Sequence, residues 1–176
     1  MFLNCYRLES FTSDLNSLTD GTLMFYDCEK LASFISDLSS LTDGYYMFEG
    51  CRNLTTFTSD SSGSPVNLSS LTNGRGMFYR CNTLTTFDSG LSSLTNGEEM
   101  FSDCKLNASS VQNIALTINK ITSNARFDIG IDTDITSDAQ VKRDLGLIKY
   151  KGWNLYVNGS NSGYTLPKYA DCTNID

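Results

Sequence analysis

The chain contains no histidine among its 176 residues. That absence removes the general base from Ser-His-Asp and Cys-His catalysis and the imidazole ligand from a zinc site. Basic residues are also scarce. Thirteen Lys and Arg stand against 20 Asp and Glu, a net charge of −7, and no cluster of them exists to neutralise phosphates. Nucleic acid and anionic membranes are therefore not expected as partners. No stretch approaches the roughly 18–20 continuous apolar residues that span a bilayer, so membrane insertion is not expected either. No basic start leads into an apolar run and a small-residue cleavage site, so no signal peptide is read in this segment. A composition 40% hydrophobic and 19% charged is an ordinary globular balance for one domain.

What is present is a phrase, Met-Phe-x-x-Cys, repeated five times from Met1, Met24, Met47, Met77 and Met100. The steps are 23, 23, 30 and 23 residues, and the long step holds the one Ser/Gly/Pro patch of the array, Ser61 to Asn67. Remove that insert and the period is constant. A fixed period of about 20 to 29 residues with phased apolar positions is the mark of leucine-rich repeats. The expected fold is an α/β solenoid, a right-handed leucine-rich-repeat stack with a parallel β-sheet and an α/β C-terminal cap.

Within one unit, Leu8/Phe11, Leu31/Phe34, Leu54/Phe57 and Leu84/Phe87 lie in short Thr/Ser-rich stretches that suit strands. The pairs Asp20-Gly21, Asp43-Gly44, Asn73-Gly74 and Asn96-Gly97 turn the chain, since these residue types tolerate left-handed backbone. The three-residue spacing of Met-Phe-x-x-Cys predicts a short inward helical turn. Leu15/Leu18, Leu38/Leu41, Leu68/Leu71 and Leu91/Leu94 fill the remaining core. Phe57→Ala, in a central coil, is expected to cost about 3–5 kcal/mol as a cavity mutation.

Cys5, Cys28, Cys51, Cys81 and Cys104 share one phase and should stack as buried thiols filling the core. Disulfides between neighbouring coils are the alternative. One Cys per coil without any Cys-x-x-Cys pair implies no metal and no cofactor. Cys172 lies outside the array.

After Cys104 the pattern breaks. Ser109 with Gln112 and Ser137 with Gln140 match capping boxes for two helices. Their apolar faces are Val111, Ile114, Ala115 and Ile118 in the first, and Val141, Leu145 and Ile148 in the second. Phe127 to Ile131 and Trp153 to Val157 read as strands. The division is thus 1–104 repeats, 105–158 cap and 159–176 tail or linker, the cap covering the last open coil. Met1 already occupies a repeat position, so the chain is expected to be a segment of a longer protein.

The repeats resemble the BspA-like, bacterial surface-antigen type of leucine-rich repeat. The resemblance rests on Met-Phe-x-x-Cys-x-x-Leu-x-x-Phe over residues 1 to about 104, with Phe where the family often has Ile or Leu. Ile129-Gly130-Ile131 and Lys151-Gly152-Trp153 look like the ends of such repeats in gut bacteria and their phages. The resemblance implies a cell-surface, extracellular or virion-surface protein, used in adhesion to a host or cell-surface protein or glycan. It carries over no catalytic residue.

The ligand-binding candidates are the in-phase variable residues Tyr26, Tyr45, Tyr46, Tyr79, Arg75 and Arg80, with Glu98 and Glu99 beside them. Exposed Tyr and Arg anchor interfaces, and aromatic faces suit sugar rings. Scattered surface aromatics are the blander account. The loop at 61–67 is a second candidate. Thr55, Thr56, Thr58, Thr85 and Thr86 line a polar strand face whose threonine columns break in the first two coils, against ice binding. Asp128, Asp132, Asp134 and Asp138 lack the Gly and terminal Glu of an EF-hand loop and read as an acidic turn and helix start. The phased Ser-Asp pairs read as local turns rather than as the facing carboxylates of a glycosidase. The expected function is non-enzymatic surface recognition or adhesion by a fragment of a larger bacterial or phage protein. The alternative is a structural spacer or assembly module with no ligand of its own, self-associating through its open N-terminal coil.

Overall fold

The structure, a computed structural model, describes residues 1–159. The tail residues Tyr164, Pro167, Tyr169 and Cys172 lie outside them. Three coils each contribute a strand, β1 (Ser10–Thr12), β2 (Ser33–Ile35) and β3 (Thr56–Thr58). They pair in parallel in that order, with Phe11, Phe34 and Phe57 in register. The strand expected around Leu84 and Phe87 does not form. Thr58 is drawn into an antiparallel bridge with Pro65, which takes away the neighbour for a fourth strand. The backbone there bonds onward instead. Leu84 and Thr85 carbonyls accept from Lys105 and Asn107 N–H, and Phe87 N–H donates to Ser110 Oγ at 2.8 Å.

The departure is confined to residues 59–65. Asp60 folds it by accepting from the Ser62 N–H and hydroxyl and from the Ser64 N–H, at 2.6 to 3.2 Å. These bonds, the Ser62 hydroxyl foremost, hold its carboxyl down at about 2. Val66 is buried and Asn67 caps Ser69 N–H as Asp37 caps Ser39 N–H. Both therefore belong to the coil rather than to the insert.

On the opposite side, Met-Phe-x-x-Cys forms two consecutive four-residue turns rather than a helical turn. Met24 N–H donates to Gly21 C=O and Cys28 N–H to Phe25 C=O, and the third residues, Leu23 and Asp27, have φ of 55° and 52°. Positive φ at the third position is the type II signature. Successive turns stack because alternate N–H groups reach the next coil, Leu23 to Tyr45, Phe25 to Met47 and Asp27 to Glu49, at 2.7 to 2.9 Å. The residue before each Cys is Asn4, Asp27, Gly50, Arg80 and Asp103, all at positive φ. Four of the five are types that tolerate it.

The glycines of the Thr-Asp/Asn-Gly triplets serve packing, not left-handed backbone. Gly21, Gly44 and Gly74 are absent from the positive-φ residues, and a Cβ on each would lie 2.6 to 2.9 Å from the next coil's Met47, Met77 or Met100 sulfur. The preceding Asp20, Asp43, Asn73 and Asn96 accept from the N–H two residues on, at 2.9 to 3.3 Å. Asn96 Nδ2 also donates to Asn73, and Asn73 Nδ2 to Asp43, linking coils through a side-chain ladder.

Two aromatic columns run through the core. Phe2, Phe25, Phe48, Phe78 and Phe101 stack with centroids 5.3 to 5.6 Å apart and planes within 5°. Phe11, Phe34, Phe57 and Phe87 form the second, meeting the first edge-on. Phe57 is only partly buried, and its spacing to Phe87 opens to 6.5 Å beside the insert. The large cavity cost expected there belongs instead to Phe48.

The cysteine phase forms the expected column. Cys28, Cys51, Cys81 and Cys104 are buried, and each thiol donates to a Phe carbonyl one coil back, at 3.0 to 3.2 Å. All five described cysteines are free thiols. Burial raises the Cys28 thiol to about 11 and also pushes the other three well up. The thiolate is the reactive form, so in the native protein a maleimide should label half-exposed Cys5 and spare these four. Peptide mapping by mass spectrometry checks this, and rapid native labelling of Cys51 or Cys81 would contradict the column.

The fifth Met-Phe-x-x-Cys becomes β4 (Gly97–Leu106), which keeps positive φ at Glu99 and Asp103 as two irregularities. Then follow α1 (Ala108–Thr117), β5 (Arg126–Ile131), a 3₁₀ turn (Thr133–Ile135), α2 (Ala139–Tyr150) and β6 (Asn154–Val157). β4, β5 and β6 form a second parallel sheet in chain order. The expected apolar faces of both helices are buried, but the caps sit elsewhere. Asn107 caps α1 through Ser110 N–H, and Asp138 caps α2 through the Gln140 and Val141 N–H groups. Ser109 and Ser137 lie beside them, and Asn or Asp accepts at this position at least as well as Ser.

Candidate binding face

The stacked turns present an outer face on which the candidate residues fall in columns. Thr22, Tyr45, Arg75 and Glu98 occupy one phase, and Leu23, Tyr46, Gly76 and Glu99 the next. Leu3, Tyr26, Glu49, Tyr79 and Ser102 form a third. Tyr26, Tyr45, Tyr46, Arg75 and Tyr79 are half-buried and Arg80 is exposed.

Tyr46 is held from within the protein. Gly76 leaves a gap in its column, and the Tyr46 ring lies in it, at 2.1 Å from where a Cβ of residue 76 would stand. The ring thereby crosses a whole coil, and its hydroxyl donates to Glu99. Burial, and the Glu99 carboxylate accepting its proton, push the hydroxyl up to about 12. Tyr45 meets the Tyr46 ring edge-on at 4.5 Å. Arg75 pairs with Glu98 at 3.3 Å and approaches Glu99 at 3.9 Å.

The row continues onto β5. Arg126 grips the buried Asp128 with two bonds of 2.7 and 2.6 Å, lies over the Tyr156 ring at 4.2 Å, and approaches Glu98 at 4.0 Å. Asp128 also accepts the Glu99 N–H at 2.8 Å. Asp128 is thus spent on structure, as is Asp138, which caps α2, while one oxygen of Asp132 caps the 3₁₀ turn. Among the described residues no three His, Cys, Asp or Glu gather to hold a metal.

Tyr26 and Tyr79 flank Glu49, and Arg80 stacks on the Tyr79 ring at 4.9 Å. The Glu49 charge and burial raise the Tyr26 hydroxyl. Burial and Asp27 raise the Glu49 carboxyl in turn. The site therefore divides. Tyr46, Arg75, Glu98 and Glu99 are tied into a network, while Tyr26, Tyr45, Tyr79 and Arg80 keep faces toward solvent.

A family model described as the BspA type leucine rich repeat region matches residues 1–128 in six copies. The chain belongs to this family. Members of the BspA type are often surface adhesion proteins and typically serve as non-enzymatic binding or scaffold modules. The matched region passes Cys104 and takes in α1 and the start of β5, whose Phe127 stands in register with Gly97 of the repeat glycine column. No curated protein and no solved structure matches the chain. The sequence had pointed to Tyr and Arg in the repeats. It missed Arg126 and Tyr156, whose place on the same face follows only from β5 pairing with β4 and β6 with β5.

Proposed function

We propose that this BspA-type chain is a recognition module of a surface adhesion protein, binding a protein or glycan through the outer face of its stacked turns. The observation that carries it is Tyr26 and Tyr79 in one column of the stacked turns, with Tyr45 and Arg80 in other columns of the same turns, on a backbone that two ladders hold rigid. Aromatic rings held by a stiff scaffold offer large contact area at low entropic cost. We take the coils as a right-handed solenoid over 1–104, with 105–158 as its cap. Among the described residues no helix is long and apolar enough to cross a membrane.

The test is binding of the chain to an array of host glycans and extracellular-matrix proteins, beside a Tyr45→Ala/Tyr79→Ala variant. Tyr46 is left in place because its removal would empty the gap over Gly76. A hit should weaken about tenfold or more in the variant, the loss typical of an anchor residue. Undiminished binding would sink the face.

The second reading is a structural spacer or assembly module that self-associates and has no ligand of its own. Silence across the array, with a mass that rises with concentration in sedimentation, would select it.

A further inference from the structure

We infer that the carboxyl ends of β4, β5 and β6 form a separate groove, with polar groups around an apolar floor, for a neutral, hydroxyl-rich ligand of the size of a sugar ring. The groove, of about 400 Å³, is lined by Asn82, Asp103, Lys105, Asp132, Thr133 and Asn158, over a floor of Cys104 and Ile131. Its volume lies within the range of small-molecule sites. Asp103 and Lys105 come from the end of β4, Asp132 and Thr133 directly follow β5, and Asn158 directly follows β6.

Three of the lining groups, Asn82, Asp132 and Asn158, are fixed by bonds that use only half of each. Asn158 Oδ1 accepts Ile131 N–H at 2.8 Å, which leaves its amide NH₂. Asn82 Nδ2 donates to Asp103 C=O at 3.1 Å, which leaves its carbonyl oxygen. Asp132 Oδ1 accepts Asp134 N–H at 3.1 Å and its own N–H goes to Leu106 C=O. The second Asp132 oxygen remains. Donors and acceptors are thus both on offer at the strand ends. A ligand whose every hydroxyl both donates and accepts matches such a set, since a polar group desolvated without a partner is penalised. The mixed charges of Asp103, Asp132 and Lys105 disfavour a strongly charged ligand. The groove also lacks aromatic rings, which separates its chemistry from that of the tyrosine face.

This inference rests on the recognition reading but names another site, and one experiment keeps the two apart. Amide NMR spectra of the intact chain are titrated with galactose, glucose, mannose and N-acetylglucosamine, and separately with calcium chloride. At least one sugar should shift the amides of Asn82, Asp103, Lys105 and Thr133. Asp103→Asn combined with Lys105→Ala should weaken that sugar about tenfold or more. Asn is chosen because residue 103 has φ of 63°, which Asn tolerates. Tyr45→Ala/Tyr79→Ala should leave the sugar affinity unchanged. The inference is overturned by groove amides that no sugar moves, by shifts that calcium alone reproduces, or by sugar binding that the groove variant retains. Array binding lost in the tyrosine variant but kept in the groove variant, with sugar-silent groove amides, would leave the face standing and remove the groove.

Discussion

Phe48→Ala is expected to destabilise the chain by about 3–5 kcal/mol, the range for emptying a buried aromatic site. Phe48 is fully buried and touches four rings. Phe25 and Phe78 stack on its faces at 5.3 and 5.6 Å, and Phe34 and Phe57 meet it edge-on at 4.9 and 5.6 Å. Neighbours on both sides are held by turn and strand ladders, so the site cannot collapse and most of the cavity persists. Phe57→Ala should cost less, because Phe57 is already partly open to solvent beside the insert. Urea unfolding of the two variants measures both. A Phe48→Ala loss below about 1 kcal/mol, well under the cavity range, or a larger loss for Phe57→Ala, would show that the two-column core is wrong.

Each part of that core that was legible in the sequence was locked to the repeat phase. Met, Phe, Cys and Leu recur at fixed offsets because each must meet its own kind one coil away, so period alone places them inside. The local backbone was less legible. A three-residue spacing fits a helical turn and a type II turn equally, and the deciding signal was the run of Asn4, Asp27, Gly50 and Asp103 before the cysteines. The triplet glycines misled in the opposite sense. Their reason is a methionine 26 or more residues further along, at 2.6 to 2.9 Å, which no local rule for turns contains. The helix caps slipped by one or two residues because Asn107 and Asp138 adjoin the serines that carry the pattern.

The face was half legible for the same reason. Phase alone put Tyr26, Tyr45, Tyr79 and Arg80 outside. That Tyr46 is instead a structural bridge depends on Gly76 one coil on and Glu99 a further coil on, a conjunction visible only once the columns are stacked. The groove was not legible at all, because its residues come from three strand ends and one repeat loop between Asn82 and Asn158.

Gly130→Ala should be strongly damaging, costing above about 3 kcal/mol, the upper end of overpacking penalties. β5 runs straight where each repeat makes its double turn, and Gly130 lies against the irregular part of β4. A Cβ on it would stand 2.5 Å from Cys104 O, 2.6 Å from Phe101 O and 2.7 Å from Cys104 N. These are backbone atoms, and Cys104 is also tied by its thiol to Phe78 C=O, so no side chain can swing aside. The added methyl must push β5 off β4, which would also loosen the Arg126–Asp128 pair and the groove beyond it. Gly90→Ala is the matched control. Its Cβ would meet only Thr117 at 3.9 Å, with no positive φ to strain, and the change should stay within about 0.5 kcal/mol. Thermal and urea unfolding compare the two. Equal stability of both variants would mean that β5 is not packed against the last repeat turn, and the joint between the repeats and the helical segment would have to be drawn elsewhere.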